Sequence, residues 1–269
     1  MFATYVRQTA QRADAESDAY RRDGPGDANR LMVVVAITSA LALTIINFFA
    51  KDPTWVPGFM AGLGLDSEPT SRWLSSADTG QLARLTVWTA VQLFAYVGLP
   101  VLAIKLILRK RIRDFGIAWH GVSAHWRPYV VLFAVSVPIV IWASFSPAFL
   151  ARYPFYDLLP GEGLWPNMWI WWVMYAAQFV ALEFFFRGFM IHGLKWRLGY
   201  AATFMMVIPY NMIHFAKPLA EAIGAILGGV TLGTLSLRTN SVWWGAALHI
   251  AIAATMDIAA LTHQGVLWP

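Results

Sequence analysis

The chain has 269 residues, of which 58% are hydrophobic and only 13% are charged. This composition excludes an ordinary water-soluble globule and indicates a membrane protein. The absence of cysteine excludes disulfides, thiolate metal sites and cysteine nucleophiles. The net charge of +5 is explained by basic loops, so no nucleic-acid partner is expected.

Residues 1–30 are polar and mixed in charge, and we interpret them as a cytoplasmic tail, with an interfacial helix as the alternative for part of it. Seven apolar stretches follow, and a helix needs about 20 apolar residues to cross a bilayer. The predicted spans are residues 31–50, 84–108, 128–150, 167–194, 200–216, 219–237 and 241–262. The predicted fold class is therefore all-α, a polytopic membrane bundle of about seven transmembrane helices. Residues 31–160 form its N-terminal helices and loops, and residues 161–264 form the core with the candidate site.

The placement of lysine and arginine predicts the orientation of these spans. With a cytoplasmic N-terminus, thirteen basic residues fall in cytoplasmic segments and five fall outside. Basic residues concentrate in the cytoplasmic loops of membrane proteins. We therefore expect an integral protein of the inner or plasma membrane, with the lipid bilayer as a partner and the C-terminus outside.

Five ionisable side chains fall within the later apolar spans: Glu183, Arg187, His214, His249 and Asp257. Glu183 and Arg187 are one helical turn apart and can form an ion pair. Ionised groups at this depth cost several kcal/mol unless they are paired or lie in a wet cavity. A purely structural pair is the simpler interpretation. Carboxylate, guanidinium and two imidazoles together are nevertheless the groups of a water-activating site, which favours an intramembrane hydrolase.

The depths of these groups can be compared from the helical rise of ~1.5 Å per residue. Glu183 lies ~17 Å and His214 ~21 Å above the cytoplasmic ends of their spans, while His249 lies ~12 Å and Asp257 ~24 Å into theirs. We therefore expect Glu183, Arg187, His214 and His249 to share one mid-membrane layer. Asp257 is expected near the level of His214.

Three short motifs follow one another in this part of the chain. The first reads Glu-x-x-x-Arg-Gly from Glu183 through Arg187 to Gly188, the second Tyr-x-x-x-His from Tyr210 to His214, and the third begins at His249. Their order and spacing resemble the CPBP family of CAAX proteases and bacteriocin-processing enzymes, also called the Abi family. In that family the motifs are Glu-Glu-x-x-x-Arg, Phe-x-x-x-His and His-x-x-x-Asn.

The resemblance implies an all-helical intramembrane peptidase whose glutamate and histidine activate water and whose last His/Asn pair stabilises the oxyanion. Two positions depart from the family pattern, because Leu182 replaces the first glutamate and Ala253 replaces the asparagine. Loss of an oxyanion donor typically costs ~2.7–4 kcal/mol. Asp257 is expected to compensate by orienting His214, within hydrogen-bond reach or through one water.

The favoured function is an intramembrane endopeptidase that cleaves a membrane-associated peptide, propeptide or C-terminal tail with a water activated by Glu and His. One alternative is an inactive relative that serves as an immunity or membrane partner protein. Another is a proton-coupled transporter, which the lack of internal repeats disfavours. Glu183, His214 and His249 could bind a divalent metal such as zinc, but no His-Glu-x-x-His motif is present, so metal-free catalysis is favoured.

Overall fold

A computed structural model describes residues 2–119 and 125–267. Within these ranges the chain forms eleven helices, a short 3₁₀ turn at Ile112–Asp114, and one isolated bridge between Ile117 and Ser241. The helices are α1 Phe2–Asp23, α2 Pro25–Ala50, α3 Trp55–Gly62, α4 Glu68–Ser75, α5 Gly80–Leu108, α6 Arg127–Ala143, α7 Pro147–Leu150, α8 Asn167–Leu198, α9 Ala201–Met212, α10 Leu219–Thr239 and α11 Trp243–His263. The all-α prediction is confirmed.

Five of these helices, α2, α5, α8, α10 and α11, are long and apolar enough to cross a membrane. The predicted third and fifth spans are shorter, because α6 has 17 residues and α9 has 12. Twelve helical residues extend only ~18 Å, well short of the ~30 Å hydrocarbon layer. The bundle is polytopic, and the predicted third and fifth spans are not among the five described helices that are long and apolar enough to cross.

The outward faces of the long helices are apolar. Large hydrophobic side chains are exposed along α2, α5, α6 and α10, among them Ile37, Leu106, Trp142 and Leu227. A soluble monomer rarely exposes contiguous apolar surface of this extent, whereas a bilayer solvates it. The chain is an integral membrane protein, and these faces are apolar enough to lie against lipid.

Helix α8 lies at the centre of the bundle, and nearly all of its residues from Ala181 to Lys195 are buried. Its aromatic side chains, including Phe185, Phe186 and Phe189, form one core with apolar residues of α2, α5 and α9. The part of the sequence that carries the Glu-x-x-x-Arg motif is therefore also the most enclosed part of the fold.

Helix α10 lies close to α9 at Gly229 and Gly233. A Cβ atom on Gly229 would lie 2.9 Å from a methyl group of Val207, which is closer than real contacts allow. Gly224 and Gly228, in contrast, have no atom within 4 Å of the Cβ position. The four glycines form two pairs with a spacing of four residues, Gly224/Gly228 and Gly229/Gly233. Only the second pair lies at a close helix contact.

The polar residues 1–30 contain a helix that is docked on the bundle. In α1, Arg12 donates to the carbonyl oxygen of Leu237 over 2.7 Å, and Asp14 accepts from the backbone N–H of Tyr200 over 2.8 Å. Helix α1 therefore ties together the ends of α8, α9 and α10 on the side that the basic residues predict to be cytoplasmic.

Candidate active site

The Glu183–Arg187 pair predicted from the sequence is formed inside the bundle. The Arg187 Nη1 atom lies 2.9 Å from Glu183 Oε1, and the two side chains are 0% and 1% exposed. Glu183 ends a regular α-helical stretch, and Arg187 lies in a wider π-helical segment, Phe184–Met190. Such segments are common at functional sites because they redirect side chains and free backbone groups.

The backbone carbonyl of Arg187, within this π-helical segment, accepts a hydrogen bond from α10. The Ser236 hydroxyl donates to this carbonyl over 3.0 Å, and the Nε2 atom of His192 lies 3.1 Å from the Ser236 oxygen. The serine has one proton and gives it to the carbonyl, so the histidine must donate to the serine. Ser236 thereby fixes the backbone from which the Arg187 side chain extends.

His249 of α11 completes the contacts of the Glu183 carboxylate. Its Nδ1 atom lies 2.8 Å from Glu183 Oε1, and its ring stacks on Phe179 at 5.5 Å between centroids. Both the imidazole and the guanidinium approach Oε1 off the ideal hydrogen-bond line, so these contacts are chiefly electrostatic. The nearby carboxylate favours a proton on Nδ1, which leaves Nε2 as the acceptor in the neutral ring.

Tyr210 of α9 joins the two sides of this cluster. Its hydroxyl lies 3.2 Å from His249 Nε2, and its ring lies 3.8 Å from the Arg187 guanidinium carbon in a cation–π contact. The backbone carbonyl of Tyr210 accepts from His214 Nδ1 over 2.9 Å. The second motif therefore meets the first and third through Tyr210, while His214 lies in the turn that follows α9.

The contact between α8 and α11 depends on Gly245, one helical turn before His249. A Cβ atom at this position would lie 2.4 Å from Glu183 Oε2, inside van der Waals contact. A side chain at this position would displace the Glu183 carboxylate, so glycine leaves it in place opposite His249. Sequence reasoning missed this residue, although a glycine one turn before a predicted site histidine was a usable signal.

Asp257 lies apart from this cluster. Its side chain is completely buried, and Oδ2 accepts from the indole N–H of Trp172 over 3.0 Å, while Oδ1 has no hydrogen-bond partner among the described residues. No direct hydrogen bond joins Asp257 to His214. The expected direct contact is therefore not formed, because α11 turns the Asp257 carboxylate towards α8 rather than towards α9.

The arrangement does not fit the zinc site considered from the sequence. Among the described residues no group of three or more His, Cys, Asp or Glu side chains could hold a metal ion. The Oε1 atom of Glu183 already faces a guanidinium and an imidazole nitrogen. A divalent cation at Oε1 would also be repelled by Arg187.

Residues 164–255 match the family model Rce1-like, described as type II CAAX prenyl endopeptidase Rce1-like. The resemblance to CAAX proteases is confirmed. We call residues 164–255 the Rce1-like region; it covers about a third of the chain. The region contains the Glu183–Arg187 pair, Tyr210, His214 and His249, and it ends before Asp257. A search of curated proteins and a search of solved structures gave no match.

Both departures from the family motifs leave apolar side chains inside the Rce1-like region. Leu182 is buried in the main core beside the site glutamate, and Ala253 is buried against Trp171 and Tyr175. Neither position supplies a polar group to the cluster.

Proposed function

We propose that the chain is an intramembrane endopeptidase that cleaves a membrane-associated peptide, propeptide or C-terminal tail. The observation that carries this proposal is the contact of 2.8 Å between Glu183 Oε1 and His249 Nδ1 inside the bundle. The match of the Rce1-like region to a family of CAAX endopeptidases supports it independently.

The exposure of the Glu183 and His249 side chains suggests a different role for each residue. Glu183 is 1% exposed, whereas the side chain of His249 is 18% exposed. His249 is therefore the group that reaches a bound water, and Glu183 holds its ring and stabilises the imidazolium. This differs from the roles that the resemblance implies, in which the glutamate activates water and the last histidine stabilises the oxyanion.

The reaction begins when His249 Nε2 takes a proton from a water molecule as the water oxygen attacks the peptide carbonyl carbon. General base catalysis of this kind typically contributes ~10²–10⁴-fold in rate. His214 is a second acceptor for the same water, because its Nδ1–H is bound to Tyr210 and its Nε2 is free to accept. When the C–N bond breaks, His249 returns the proton to the leaving nitrogen.

Arg187 does not touch the substrate in this mechanism. Its guanidinium supplies the countercharge that keeps a buried carboxylate tolerable at this depth, and its contact with the Tyr210 ring fixes α9 against α8. We assign it a positioning role. We assign Asp257 a positioning role as well, because its carboxylate holds the indole of Trp172.

A cleavage assay in proteoliposomes tests the proposal. The probe is a fluorogenic peptide with a prenylated cysteine in a C-terminal Cys-a-a-X sequence, compared with the same peptide unprenylated and with an unrelated membrane-spanning peptide. Wild type should cleave at least one of them, and Glu183→Gln should abolish the cleavage while the protein stays folded. Glu221→Gln is the matched control, since Glu221 lies in the same region but pairs with Lys217.

Retained proteolysis in purified Glu183→Gln protein would remove the glutamate from the mechanism. If wild type cleaves none of the probes, the second candidate gains, namely an inactive relative that acts as a membrane partner or immunity protein. The observation that favours this candidate is the burial of apolar Leu182 and Ala253 where the family carries polar groups.

A further inference from the structure

The active-site cluster contains one hydroxyl group that the family motif does not have. The second motif of the family begins with phenylalanine, whereas this chain has Tyr210. The third motif of the family ends with asparagine, whereas this chain has the buried Ala253. One polar group is therefore missing from α11, and one has been added on α9, beside the same histidine.

We propose that the Tyr210 hydroxyl is the oxyanion donor of this site and takes the role of the missing asparagine. This inference rests on the proposed peptidase function and adds a catalytic residue to it. In the resting state the hydroxyl lies 3.2 Å from His249 Nε2, the nitrogen that takes the proton from water. It is therefore next to the position of the reacting carbonyl.

The Tyr210 ring is held from several sides before any substrate binds. It is buried, the Arg187 guanidinium lies 3.8 Å from its centroid, and Phe186 packs edge-on at 5.2 Å between centroids. His214 holds the backbone carbonyl of the same residue. With the ring fixed in this way, only the O–H torsion has to change when charge develops, which is close to the preorganisation that effective oxyanion stabilisation requires.

Binding of the water redirects the hydroxyl. Nε2 of neutral His249 has one lone pair, so the Tyr210 O–H turns away from it when the water donates there. As the water gives this proton to Nε2, the C–O bond forms and the π electron pair of the carbonyl moves onto its oxygen. The Tyr210 O–H then donates to this oxyanion and keeps its own proton, and when the C–N bond breaks the pair returns to the C=O bond.

The test is Tyr210→Phe, which keeps the ring and restores the family residue. Loss of one oxyanion donor should lower kcat by about 10²–10³-fold, with KM and thermal stability close to wild type. Tyr200→Phe is the matched control, because the Tyr200 hydroxyl bonds Thr234 over 2.8 Å outside the site. Its kcat should stay unchanged.

A second readout separates catalysis from packing. A peptidyl trifluoromethyl ketone forms a tetrahedral hydrate, so its affinity should fall in Tyr210→Phe by about the same factor as kcat, while affinity for the uncleaved peptide does not. Active wild type with an equally active Tyr210→Phe variant would overturn this inference alone. Wild type that cleaves no probe would refute the proposed function and the role of Tyr210 together.

Discussion

Replacing Arg187 by methionine removes the countercharge of Glu183 while keeping a long apolar side chain in the core. The chain offers a matched comparison, because Glu68 and Arg72 in α4 have the same i,i+4 spacing as the buried pair. Their N–O distances are 3.0 Å and 2.9 Å respectively. The pairs differ in exposure, since the side chains of Arg72 and Glu68 are 76% and 62% exposed.

Burial should therefore account for nearly all of the difference between the two arginine variants. Breaking a buried pair by removing one partner typically costs ~3–5 kcal/mol, because the remaining charge stays buried and unpaired. An exposed pair typically contributes ~0.2–1 kcal/mol. We expect Arg187→Met to lower the free energy of unfolding by ~3–5 kcal/mol, and Arg72→Met by less than about 1 kcal/mol.

The measurement is chemical unfolding in detergent micelles, followed by the fluorescence of the fourteen tryptophans. The double variant Glu183→Gln/Arg187→Met should be destabilised by less than the sum of the two single variants, because it leaves no unpaired charge. Additive losses, or a loss for Arg187→Met no larger than that for Arg72→Met, would show that the two buried groups are not coupled and would refute the site geometry.

Three further predictions concern the site, its edge and the topology. Gly245→Ala should abolish cleavage, because the added Cβ would lie 2.4 Å from the Glu183 carboxylate. Gly228→Ala is the control and should keep full turnover, because no atom lies within 4 Å of its Cβ position. Equal turnover in both variants would contradict the close approach of α11. Asp257→Asn should lower turnover less than loss of the site carboxylate does, because Asp257 contacts Trp172 rather than the cluster; complete loss of cleavage would move it into the catalytic set. A reporter fused after Asp66 should be found outside and one after Arg113 in the cytoplasm, and reversal of both would overturn the orientation.

The depth of the site groups could be predicted from the sequence, whereas their direction around each helix could not. A fixed rise per residue places Glu183, Arg187 and His249 in one layer, and these three are in contact. The same arithmetic placed Asp257 at the level of His214. It contained no information on how α11 is rotated, and the Asp257 carboxylate faces Trp172 instead.

The lengths of the helices could not be predicted from hydropathy, for a different reason. Hydropathy marks a stretch as apolar but does not say how much of it is helical. Residues 200–216 are apolar enough for a span, yet the helix ends at Met212 and contains Pro209. The polar character of residues 1–30 likewise predicted a location but not the helix α1, because its partners Leu237 and Tyr200 are remote in the sequence.

The docking of α1 also fixes an order of events during synthesis of the protein. Arg12 donates to the carbonyl of Leu237, which is synthesised 225 residues later. At ~5–20 residues per second, this separation corresponds to a delay of about 11 to 45 s after Arg12 has been made. Helices α2, α5 and α8 are complete before that time, so the contact with Leu237 forms after them. The contact of Asp14 with Tyr200 can form earlier, and the attachment of α1 is completed only when Leu237 has been made.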